Sequence, residues 1–82
     1  MKLKNEIPFI RERFSKLTTL PEYTKTLKAS GNYKNFETRL AWDCIHATIP
    51  SEIICNWYDK YDCNDDHITT AVKAVLKEMK IL

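Results

Sequence analysis

Five residues with metal-binding or nucleophilic chemistry lie close together in this 82-residue chain: Cys44, His46, Cys55, Cys63 and His67. Thiolate sulfur and imidazole nitrogen are the usual zinc ligands, and Cys63 and His67 stand one helical turn apart. A structural zinc site normally brings paired spacings such as Cys-x-x-Cys, whereas these residues occur as Cys-x-His, an isolated cysteine and Cys-x-x-x-His. The spacing therefore predicts no metal and no cofactor. Free cysteine generally behaves as a small buried hydrophobe, which suits Cys44 on an apolar stripe and Cys63 at a helix start. His46 and His67 then read as ordinary surface residues.

Nucleophilic catalysis needs a cysteine or serine beside a base that a third group holds, and no spacing in the chain supplies that set. Asp65 and Asp66 are adjacent carboxylates, but neighbours in the first turn of a helix point different ways. The positive end of the helix dipole accounts for them without acid–base work. Gly31 is the one glycine, so a glycine-built phosphate cradle and a dinucleotide fingerprint are both excluded. The expectation is a protein without enzymatic activity.

Charge is distributed unevenly. Residues 1–41 carry nine basic and four acidic side chains, and residues 42–82 carry four basic and seven acidic ones. Such asymmetry builds an attractive patch for an anionic partner unless folding brings the two signs together. No apolar run approaches the length that spans a bilayer, and Pro8 and charges interrupt the start before a signal-like region develops. Together with an odd number of cysteines, this predicts a cytoplasmic protein with reduced thiols and no membrane contact.

The elements that must position these groups follow from helix and turn signals. With one glycine and three prolines, the tight turns of β-hairpins have almost no residues to form them, which favours an all-α fold. The expectation is one domain over residues 1–82, a small bundle of about five short helices. The first begins near Asn5, tolerates Pro8 in its opening turn and presents Ile7, Ile10, Phe14 and Leu17 as a stripe. Thr19-Leu20-Pro21-Glu22 predicts a capping box at the start of the second, and Gly31 stops it. The third, from about Asn35 to Thr48, is apolar on two sides: Phe36, Leu40, Ala41 and Cys44 on one, Trp42 and Ile45 on the other. That makes it the expected hub. Trp42 then either packs under another helix or stands exposed as a binding anchor.

The fourth helix opens at Pro50-Ser51 and carries Ile53, Ile54, Trp57 and Tyr61, with Tyr58 at the edge of the stripe. Asn64 is the expected N-cap of the fifth, whose apolar stripe is Ile68, Val72, Val75, Leu76 and Met79. Two amphipathic helices joined by a tight polar turn resemble a helix-turn-helix. The stretch HITTAVKAVLKEMKIL loosely resembles the recognition helix of winged-helix proteins, although no wing hairpin follows it.

On that resemblance the outward face Thr70, Lys73, Ala74 and Lys77 would enter the major groove. Arg11, Arg13, Lys16, Lys25, Lys28, Lys34 and Arg39 would supply phosphate contacts. Asp65 and Asp66 oppose this, because they sit at the end of the helix that enters the groove first. The first expectation is thus a small regulatory DNA-binding protein. The alternative is a protein-interaction module, an adaptor or inhibitor, anchored by Trp42 and Tyr58. A homodimer would serve either.

Overall fold

A computed structural model of the chain describes residues 2–31 and 35–82. A 3-10 turn, Lys4–Glu6, leads directly into α1 (Ile7–Phe14). The remaining helices are α2 (Leu20–Ser30), α3 (Phe36–Thr48), α4 (Ser51–Lys60) and α5 (Asp65–Glu78). The described residues contain no strand, so the fold is a small all-α bundle around one hydrophobic core. Among them, no helix is long and apolar enough to cross a membrane.

The periodicity of α5 becomes burial directly. Ile68, Ala71, Val72, Val75 and Leu76 recur at three- and four-residue steps, and all are fully buried. Burying one side chain of Val, Leu or Ile size is worth about 1.5–3 kcal/mol, so this stripe alone anchors the helix. It lies chiefly on α3 and then on α1, whereas α4 is not among its extensive neighbours. α3 is the hub: it packs on α5, α2 and α1 through Leu40, Ala41, Cys44 and Ile45. Ile45 joins the core, while Trp42, one step away, is only half-buried.

Two local expectations need correction. The capping box at Thr19 does not form, and no side chain caps α2. Thr19 has φ −96° and ψ 8°, outside the extended region that aims an N-cap hydroxyl into the first turn. Only its carbonyl serves the helix, accepting the Tyr23 N–H at 3.0 Å. The first helix also starts later than expected. Leu3, absent from any predicted stripe, is fully buried, and its carbonyl accepts the Glu6 N–H at 2.9 Å, closing the 3-10 turn ahead of α1.

The carboxyl end of α2 behaves as its residue type requires. Gly31 takes φ +66° after α2, the left-handed conformation that costs glycine least. The α4–α5 turn is fastened to the amino-terminal segment: Tyr61 donates its hydroxyl to Glu6, Lys60 Nζ lies 3.8 Å from the same carboxylate, and Lys2 Nζ donates to the Asp62 carbonyl at 2.7 Å.

Candidate interaction surfaces

Those of the predicted phosphate-binding cations that the structure describes are dispersed over α1, the turn after it, α2 and α3, and most have partners within the fold. Arg11 reaches Glu78 Oε2 through Nε at 2.9 Å and Nη2 at 2.8 Å. Lys16 pairs with Glu12 at 3.2 Å, and Arg39 with Asp43 at 3.2 Å. The Arg13 guanidinium stands 5.1 Å over the Phe9 ring, and Lys28 Nζ 5.9 Å from the Phe36 ring. Lys25 is exposed on α2, and Lys34 lies outside the described residues. Exposed pairs of this kind are worth only about 0–1 kcal/mol each, so they stabilise little. They do reduce the local positive field on which phosphate attraction depends.

The structure does bring the predicted residues of α5 together on one outward face. Thr70 and Lys77 are exposed, and Lys73 and Ala74 are half-buried. The Thr70 hydroxyl donates to the Asp66 carbonyl at 2.8 Å, so its proton is committed to its own helix. Lys73 lies against the start of α3, in a shallow depression with Asn35, Phe36, Glu37 and Thr38. At the amino end, Asp65 accepts the Tyr58 hydroxyl.

The third candidate surface is the corner between α3 and α4. Trp42 and His46, one turn apart on α3, lie ring against ring with centroids 5.9 Å apart. They rim an open cleft of about 280 Å³, whose walls are Ile45, Ile49 and Pro50 on one side and Ser51, Ile54 and Cys55 on the other. Tyr58 follows Ile54 by four residues and Cys55 by three, so α4 carries the same side onward to Tyr58. Tyr58 itself lies beyond the cleft that Trp42 rims, beside Cys63, Asn64, Asp65 and Asp66. Trp57, by contrast, is 2% exposed and meets Phe9 edge-on at 6.2 Å, a core pair with no surface role.

A second cleft, which no residue spacing signals, lies between α2 and the other side of α3. Leu17, Leu20, Tyr23, Cys44 and Ala47 line about 250 Å³ there, with Asp43 at the lip. Tyr23, at 41%, is the one exposed large hydrophobic residue among those described. Its hydroxyl donates to Asp43, which pushes the phenol above its usual range. Both volumes fall below the roughly 300–1,000 Å³ typical of small-molecule sites. They suit one or two side chains of a partner.

The metal-type residues are scattered among these features. Cys44 is in the core, where burial and then the neighbouring Asp43 push its thiol up to about 11. Cys55 is exposed beside the α3–α4 cleft. Cys63 is half-buried, donates its thiol to the Trp57 carbonyl at 3.3 Å and is pushed up by burial. No three histidine, cysteine or acidic side chains converge among the described residues. His67, expected as an ordinary surface residue, has a local task instead: it forms a capping box with Asn64.

Fold and surfaces together define a small all-α bundle with an aromatic, cleft-lined corner. No family model, curated protein or solved structure matches the chain.

Proposed function

We propose that this domain is a non-enzymatic protein-interaction module, an adaptor or inhibitor that works by occupying a partner's surface. The α3–α4 corner is its contact. One observation carries the reading: Trp42, half-buried against His46, rims an open apolar cleft too small for most ligands and the right size for a partner's side chain. Tryptophan in such a setting combines a large apolar area with little conformational entropy to lose, which is why it recurs among binding hot spots. Tyr58 lies further along the same side of α4. The odd number of cysteines supports a cytoplasmic setting for such a module.

The second reading is DNA binding through α5. It is favoured by the common outward face of Thr70, Lys73, Ala74 and Lys77, with Lys77 exposed and outside the ion pairs described above. The pairing of Arg11, Lys16 and Arg39 with carboxylates weakens its phosphate surface.

A photo-activated cross-linker on the Cys55 thiol, in a Cys63→Ser background, tests the first reading in the cells that make the protein. Specific adducts from Cys55 that are absent from a Lys25→Cys control and lost on Trp42→Ala support it. Equal labelling from both positions overturns it. The second reading is tested by anisotropy of a labelled duplex at low and near-physiological salt. Binding that weakens steeply with salt and disappears in Lys73→Glu/Lys77→Glu supports α5 as the surface. Unchanged binding in that variant rules the face out.

A further inference from the structure

The α3–α4 cleft is apolar within and acidic along its α4 side. Glu52 and Asp59 are exposed, three residues before and four after Cys55, so helical spacing puts them on the Cys55 edge of α4, just outside the residues that line the cleft. Asp65 meets the same side of α4 through the Tyr58 hydroxyl, and Asp66 follows it in the first turn of α5. Between Ser51 and Asp66 stand five carboxylates and one lysine. That lysine, Lys60, is turned away towards Glu6. Glu52, Asp59 and Asp66 take part in none of the ion pairs among the described residues. An apolar slot bounded by uncompensated negative charge prefers one chemistry of occupant, because carboxylates along a rim repel acidic partners and speed the encounter with basic ones.

We infer that the corner takes an amphipathic helix of a partner protein that carries lysine or arginine along the edge of its apolar face. This rests on the reading of the α3–α4 corner as the contact. The partner's apolar residues enter between Trp42 and Ile54, and its cations face Glu52 and Asp59. Those two are seven residues apart, about 10 Å along the helix axis. A helix laid alongside α4 matches that distance with cations two turns apart.

The probe is a labelled amphipathic helical peptide made of leucine and lysine. Its controls are a leucine–glutamate peptide of the same pattern and a serine–lysine peptide with no apolar face. The expected result is saturable anisotropy with the leucine–lysine peptide only, weakening with salt, and amide shifts centred on Trp42, His46 and Cys55. Glu52→Gln with Asp59→Lys should weaken it by about tenfold or more. Both sites are exposed and a lysine suits the carboxyl end of α4, so circular dichroism should be unchanged. Equal binding of the serine–lysine peptide would reduce the effect to general charge attraction and overturn the inference. So would binding of the leucine–glutamate peptide, or self-association of the protein through this corner that excludes the probe. A Cys55 cross-link to a partner without peptide binding also overturns it and leaves the module standing, whereas failure of both removes the reading beneath it.

Discussion

The imidazole Nδ1 of His67 accepts the backbone N–H of Asn64 at 3.0 Å, while the side-chain oxygen of Asn64 accepts the N–H of His67 at 3.2 Å. This reciprocal box satisfies two donors at the start of the helix that closes the core, with histidine where glutamate or glutamine usually stands. His67→Ala should therefore cost about 1 kcal/mol, and His67→Gln, which offers an acceptor at the same place, should cost much less. Urea denaturation of the two variants checks the difference. Equal loss in both would mean that the side chain stabilises by packing alone.

The two tryptophans should separate cleanly. Trp57→Ala removes a buried ring that meets Phe9 edge-on, and should destabilise by about 3–5 kcal/mol. Trp42→Ala, at the rim of an open cleft, should cost less than about 2 kcal/mol. Denaturant midpoints at constant slope measure both. A Trp42 variant as unstable as the Trp57 one would place Trp42 in the core and remove it from the interaction surface.

Thiol reactivity should follow burial. Cys55, exposed, should alkylate first at mildly alkaline pH, and Cys63, tied to the Trp57 carbonyl and pushed up by burial, should follow slowly. Cys44, pushed up to about 11 by burial, should react only as the protein unfolds. Timed alkylation read by peptide mass gives the order. Early labelling of Cys44 would show that the α2–α3 cleft opens on that timescale.

Alkaline titration should separate Tyr58 from an ordinary tyrosine. Its hydroxyl donates to Asp65, and that bond first, then desolvation, then the carboxylate's charge, push it up to about 12. The neutral phenol makes the bond, so its contribution is complete below the usual tyrosine value of about 10 and is lost as pH rises from there through about 12. Phenolate absorbance should show a late-titrating group that Tyr58→Phe removes and Asp65→Asn brings to lower pH. An unmoved curve in Asp65→Asn would dissociate the shift from that partner.

Much of the architecture could be read from spacing, because burial and periodicity share one cause. The stripe of α5 and the central place of α3 needed only the apolar positions, and Gly31 needed only its tolerance of positive φ. What escaped depends on where the chain runs in space. Leu3 looks like a stray apolar residue until the 3-10 turn carries it into the core, and Thr19 carries a capping motif without the backbone angles that would let it cap. Lys16 with Glu12 and Arg39 with Asp43 are pairs one helical turn apart that spacing could have offered, whereas Arg11 with Glu78 joins residues 67 positions apart. Trp42 and Tyr58 were legible as candidates singly. The cleft beside Trp42 depends on the direction α4 takes from α3: Pro50 announces the break, but no local pattern sets its angle.

The seating of α5 on α1 and α3 also governs the order in which the molecule can form. Without α5, the stripes of α1 and α3 lose their most extensive apolar neighbour, and α1 and α2 are too short to persist as isolated helices in water. The bundle should therefore form in one cooperative step that α5 completes, and a chain cut before Asp65 should not hold the remaining helices together.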